Sequence, residues 1–210
     1  IKNPLTPIRL GAERIANSEL VQSDHKLVNT SKMILKNVDD IRHLIDEFSS
    51  FSRLPSPILE NINYIKFLDD TFNFFKISYP DIKFDKQSCS SIKKKLRINA
   101  DEKQIRQVIG NVIKNSSENF QENNILNKSI IFSSTITQNY IFLSIEDNGV
   151  GIKEANKIKV LEPYFTTKKN GTGLGLAISK KIIEDHQGEI NIESSDIGTK
   201  VNIKFPISNN

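Results

Sequence analysis

Asn111 and Asn115 stand four residues apart in a stretch of helical apolar spacing, so they share one side of a helix. Asn is a poor residue for a helix interior. Its amide oxygen suits Mg²⁺, which takes hard oxygen ligands and keeps several waters. Glu118 falls on the same side, three residues beyond Asn115. A solvated polar face would look the same, although Ile109, Val112 and Ile113 anchor the helix in a core.

Further on, Asp147-Asn148-Gly149-Val150-Gly151 follows an apolar alternating run. Asn-Gly is a strong turn signal and a turn alone would explain it. The functional alternative is a carboxylate fixed at a strand end, accepting a hydrogen bond from an exocyclic amine. It would choose adenine over guanine, whose carbonyl at that position would repel it. Gly171-Thr172-Gly173-Leu174-Gly175 comes just before a helical pattern. Glycines let backbone approach a phosphate, and free N–H groups at a helix start attract anions. No Gly-Lys-Ser/Thr follows, so this is not a P-loop, and no strand runs straight into it, which disfavours a dinucleotide fingerprint.

The elements that must hold these residues can be read from periodicity. Ile1, Leu5, Ile8, Ala12 and Ile15 mark a first helix, and residues 17–24 a bend. A second helix runs from about His25 to Ser52, with Leu27, Ile34, Ile41 and Phe48 every seven residues. That stripe predicts a homodimer through a four-helix bundle, with packing against the rest of the chain as the alternative. Leu54-Pro55-Ser56-Pro57 ends the helix and marks a boundary, giving domains 1–57 and 58–210. The remainder predicts a helix over 62–75, short strands at 82–84 and 95–98, and a helix capped by Asp101 and running to about 118. A hairpin follows over 129–146, turning at Gln138-Asn139. Then come a helix over 174–186 ended by Gly188, and strands at 189–194 and 200–205. Strands grouped beside helices give an α+β fold: a helical hairpin followed by an α/β sandwich.

Composition narrows the class. The 210 residues are 37% hydrophobic and 26% charged, which excludes a disordered chain. A net charge of +4 is too mild to imply nucleic acid. No apolar run approaches the roughly 18 residues of a membrane span. No leader is read, and the start at Ile1 rather than Met reads as a fragment. The single Cys89 favours a reducing cytosol.

Taken in order, Asn111/Asn115, Asp147/Gly149/Gly151 and Gly171/Gly173/Gly175 resemble the ATP-binding GHKL (Bergerat) domain shared by histidine kinases, type II topoisomerases, Hsp90 and MutL. Glu162-Pro163-Tyr164-Phe165-Thr166-Thr167-Lys168 is similar to the Phe-containing box in the histidine kinase ATP lid, and Gly198-Thr199 to its small late glycine motif. Ile1-Lys2-Asn3-Pro4-Leu5-Thr6-Pro7 resembles the end of an H-box, whose phosphorylated His and acidic neighbour come immediately before the position of Ile1. The continuation to Arg14 looks most like nitrogen-regulation sensors of the NtrY type.

This resemblance implies ATP and Mg²⁺ as cofactors, transfer of the γ-phosphoryl to the hairpin His, and relay to the Asp of a response-regulator receiver domain (NtrX-like). It implies adenine at Asp147, metal at Asn115 with Asn111 beside it, and further nucleotide contacts from Lys114, Gly149, Gly151, Tyr164, Phe165, Thr166, Thr167, Lys168, Gly171, Thr172, Gly173, Leu174, Gly175 and Thr199. Asn3 matches the polar position assisting dephosphorylation of the regulator. The whole protein would be an inner-membrane sensor, with this part cytoplasmic. His25, His43 and His186 lack H-box neighbours and read as ordinary residues. Two rivals remain: an inert ATP-binding dimerisation module, and an ATPase of the topoisomerase or chaperone type. The second needs a catalytic Glu in the first block, where Glu118 is out of place.

Overall fold

The computed structural model describes residues 2–22, 24–52, 54–87, 96–168 and 171–208. The chain divides into two compact units, Ile1–Leu54 with Thr166–Leu174, and Pro55–Phe165 with Gly175–Asn210.

In the first unit, α1 (Lys2–Ala16), the short α2 (Glu19–Gln22) and α3 (His25–Ser52) form a helical hairpin. Asp24 starts α3 by accepting the backbone N–H of Lys26 at 2.8 Å and that of Leu27 at 3.4 Å, satisfying donors that a helix start leaves open. Ala12 and Val38 are buried. Arg9 ties the two long helices, reaching Glu13 on its own helix and Asp39 on α3, both at 3.0 Å. Leu27, Ile34, Ile41 and Phe48 stay 41–47% exposed, and Ile8 and Ile15 are exposed as well. Of the first-helix seam, Ile1 lies outside the described residues.

The segment Thr166–Leu174 is organised locally. Thr166 Oγ1 accepts the Lys168 N–H at 3.1 Å, and Thr172 Oγ1 accepts that of Leu174 at 3.4 Å. Gly173 has φ 69°, a conformation that excludes most side chains.

The second unit is built on a five-stranded sheet of order β2-β4-β5-β7-β6. Its strands are β2 (Lys83–Gln87), β4 (Ser129–Ile136), β5 (Tyr140–Asp147), β6 (Glu189–Ser195) and β7 (Gly198–Pro206), with β2 and β4 parallel and the other neighbours antiparallel. Alternate residues Ile130, Phe132, Ile141, Leu143, Ile145, Val201, Ile203 and Phe205 are buried, so one sheet face is covered. The covering helices are α4 (Tyr64–Ser78), α5 (Glu102–Glu122) and α7 (Gly175–Asp185), with a short α6 at Glu154–Lys157. Ile105, Val108, Ile109 and Ile113 of α5 are 0% exposed. Tyr64 Oη lies 2.7 Å from Ser134 Oγ, which satisfies both hydroxyls inside the core. The expected sandwich is present.

Four local expectations shift. Ile62 belongs to β1 (Glu60–Asn63), which pairs with β3 (Arg97–Ala100); the helix begins after it, with Asn63 Oδ1 accepting the Lys66 N–H at 3.1 Å. The strand expected at 95–98 falls at Arg97–Ala100, with Lys95 outside the described residues. The α5 helix runs one turn beyond 118, because Phe120 has a fully buried place to fill. At the end of α7 the left-handed residue is Gln187, φ 57°, and not Gly188. Gly188 is needed for closeness: a Cβ there would lie 2.5 Å from the Lys204 carbonyl oxygen on β7.

Candidate functional site

Asp147 ends β5, paired with Ile130 on one side and Thr199 on the other. Three donors fix its carboxylate. Oδ1 accepts the Gly149 N–H at 3.0 Å and the Thr199 N–H at 3.3 Å, and Oδ2 accepts the Ser116 hydroxyl at 2.6 Å. Burial pushes the carboxyl above its ordinary range. Ser116 and the two backbone donors pull the other way, and neighbouring Glu146 adds to the rise. A half-buried carboxylate held by short polar bonds is a pre-oriented acceptor.

The loop after Asp147 is strapped on both sides. Asn119 of α5 meets the Val150 backbone twice: Oδ1 accepts its N–H at 3.0 Å, and Nδ2 donates to its carbonyl at 3.1 Å. Ser194 Oγ accepts the Ile152 N–H at 2.7 Å. Gly149 and Gly151 are demanded by proximity. A Cβ on Gly149 would collide with Asn119 Oδ1, and one on Gly151 with the Ser195 carbonyl. Gly198, at φ 150°, lies so near the Asp147 carbonyl that no side chain fits.

Asn111 and Asn115 lie on α5 as the spacing predicts, both half-buried. Asn111 Nδ2 donates to the Gly175 carbonyl at 2.9 Å and to Ser179 Oγ at 3.2 Å, tying α5 to the start of α7. Both bonds use Nδ2 and leave Oδ1 outside them. Gly175 has room for a Cβ, so its role is not close packing. Lys114 is exposed, 3.9 Å from Glu118. Among the described residues no group of three His, Cys, Asp or Glu could hold a metal. A cation here would rest on amide oxygens and ligand phosphates, which fits the hydrated habit of Mg²⁺.

Of the remaining predicted residues, Tyr164 is exposed with φ 67°, turning the chain ahead of half-buried Phe165. Thr166, Thr167, Lys168, Gly171, Thr172, Gly173 and Leu174 belong to the locally organised segment of the first unit. Asn3 falls in α1 and His43 in α3, with side chains outside the described set. His186 is buried with both nitrogens engaged: Nδ1 is 2.7 Å from the Ile182 carbonyl, and Nε2 accepts the Asp101 N–H at 2.9 Å. It is a structural histidine, as its sequence context indicated.

Sequence reasoning missed Ser116, Asn119 and Ser194. Ser116 carried a signal: a polar residue one turn after Val112, on the apolar side of α5, must find a partner inside. Asn119 and Ser194 act through backbone contacts between distant segments, which spacing does not reveal.

Residues 100–209 match the family described as Histidine kinase-, DNA gyrase B-, and HSP90-like ATPase. The nitrogen regulation protein NtrY of Azorhizobium caulinodans is 32% identical over 94% of this chain and 26% of its own length. The chain spans between about a quarter and a third of the length of the curated relatives it matches. The catalytic domain of histidine kinase ThkA is 30% identical, with a TM-score of 0.60, over 70% of this chain and 95% of that one. ThkA in complex with the response regulator protein TrrA shares the fold over 99% of this chain and 58% of that one, at TM-score 0.69 and 22% identity. No helix among the described residues is long and apolar enough to cross a membrane. With its sheet, its strapped Asp147 loop and these likenesses together, the chain belongs to the histidine kinase branch of the Histidine kinase-, DNA gyrase B-, and HSP90-like ATPases, a family of ATP-binding domains.

Proposed function

We propose that the chain is the kinase core of an NtrY-like sensor histidine kinase. It binds ATP with Mg²⁺ and passes the γ-phosphoryl to a histidine ahead of Ile1, from which a response-regulator aspartate of the NtrX-like kind receives it. The observation that carries this reading is Asp147: a half-buried carboxylate, held by three donors at a strand end, within the part of the chain that matches the ATPase family.

In this reading Asp147 accepts the exocyclic amine of adenine. Gly149, Gly151 and Thr199 hold the surrounding backbone, Asn115 ligates Mg²⁺ with Asn111 beside it, and Lys114 faces the phosphates. Bound Mg²⁺ supplies charge neutralisation on the phosphoryl being moved. Tyr164 through Lys168 and Gly171 through Gly175 are the lid, its backbone N–H groups meeting phosphates. Asn3 is the polar residue that assists regulator dephosphorylation. The hairpin dimerises through Leu27, Ile34, Ile41 and Phe48, whose exposure in the single chain supports the assignment. The whole protein is a membrane sensor with this core on its cytoplasmic side.

Transfer needs a nucleophile within about 3–3.5 Å of the phosphoryl, so binding and kinase activity are separable. Incubation with γ-labelled ATP tests the reading in three proteins. The 210-residue chain should stay unlabelled. The chain extended by His-Glu before Ile1 should gain an acid-labile label. The extended chain with Asn115→Ala should lose it. No label on the folded, ATP-binding extended chain would favour an inert binding module, and label on His25, His43 or His186 would contradict the acceptor assignment.

A further inference from the structure

Ser116 sits on α5 with 3% of its surface exposed, one residue beyond Asn115. Its Oγ lies 2.6 Å from Asp147 Oδ2 and 3.2 Å from the Val112 carbonyl, and it has one proton for the two acceptors. The shorter separation falls in the range of hydroxyl-to-carboxylate bonds, so the proton goes to Asp147.

A carboxylate offers about four lone-pair positions on its two oxygens. Gly149 and Thr199 use those of Oδ1, and Ser116 uses one on Oδ2. A single position remains, on Oδ2, suited to one N–H of an amine. A guanine edge presents two adjacent donors, which need an open position on each oxygen, and Oδ1 has none.

We propose that Ser116 is a specificity-determining residue: its hydroxyl fixes the rotation of the Asp147 carboxylate and leaves Oδ2 one open position, aimed at the exocyclic amine of adenine. This rests on the reading of Asp147 as the adenine acceptor. Ser116 acts through Asp147, as a positioning residue. With Ala at 116 the carboxylate keeps its Oδ1 partners but can tilt, and the amine loses its aligned acceptor.

Calorimetry with Mg-ATP and with purine riboside triphosphate, which carries hydrogen in place of the amine, tests this on the full chain. The parent should prefer ATP by about tenfold or more, the value of a hydrogen bond to a charged group. Ser116→Ala should cut that preference at least about threefold, by weakening ATP while the analogue binds unchanged. Ser116→Thr, which keeps the hydroxyl, should retain the preference. Equal weakening of both ligands by Ser116→Ala would mean a packing role and overturn the inference. So would an unchanged preference in Ser116→Ala, or a Thr variant as unselective as Ala. If Asp147→Asn still abolished the preference in those cases, the adenine reading would stand. A parent with no preference for ATP over the analogue would overturn both.

Discussion

The helical hairpin and the α/β unit treat their apolar residues in opposite ways. On α5, Ile105, Val108, Ile109 and Ile113 are fully buried, while on α3 Leu27, Ile34, Ile41 and Phe48, just as regular in spacing, remain 41–47% exposed. The first pattern describes a core closed within one chain. The second is an apolar stripe that the single chain leaves uncovered, with the heptad spacing of helices packed in bundles, and it supports the proposed dimer. Periodicity reveals which face is apolar, but only the structure shows whether the chain covers it.

Deleting residues 1–57 is the broadest way to break this contrast. Light scattering should find the parent at dimer mass and the remainder at monomer mass, with nucleotide binding retained; an unchanged mass would refute the hairpin as the dimer interface. At single-residue scale, Ile109→Ala should cost about 2–5 kcal/mol in denaturant unfolding, as buried aliphatic truncations do. Ile41→Ala should instead raise the dimer dissociation constant, visible as a concentration-dependent midpoint.

A smaller effect is expected at Gly151→Ala, where a Cβ meets the Ser195 carbonyl and backbone must move. We expect roughly 1–3 kcal/mol, in the range of overpacking, together with weaker nucleotide binding because the Asp147 loop shifts. Asp101→Ala should cost about 1 kcal/mol by removing the α5 cap, whose Oδ1 accepts the N–H groups of Lys103 at 3.0 Å and Gln104 at 3.1 Å. Its other oxygen holds the Ile58 N–H at 3.1 Å, so proteolysis near Ile58 should quicken in the same variant.

The cap, the α5 core face, the hairpin at Gln138-Asn139 and the strand before Asp147 were all legible in the sequence, because each depends on local spacing and turn chemistry. The start of α4 was not. Ile62 fits a helical face as well as a strand, and only its pairing with Ile98, thirty-odd residues away, decides between them. The site shows the same division. Asp147 and its glycines could be found as a block, whereas Ser116 and Asn119 matter through the segments they reach across the fold.

The pH response of Asp147 offers a finer test. Burial raises its carboxyl in the folded state, against the pull of Ser116 and the backbone donors. The ionised form therefore costs stability above the unfolded pKa, and the cost is relieved as pH falls through the folded value. In Asp147→Asn the amide oxygen can still accept from Gly149 and Thr199, and Nδ2 can donate to Ser116. The nucleotide-free variant should unfold at or slightly above the parent temperature at pH 7, and the difference should shrink as pH falls. A clear loss of stability at pH 7 would contradict this balance.

Calorimetry of the full chain with Mg-ATP and Mg-GTP, repeated with Asp147→Asn, tests most directly whether Asp147 is the adenine acceptor. ATP should bind in clear preference to GTP, and most ATP affinity, roughly 1.5–3 kcal/mol, should be lost in the variant. Equal binding of both nucleotides by the parent, or an unweakened ATP affinity in Asp147→Asn, would contradict that role.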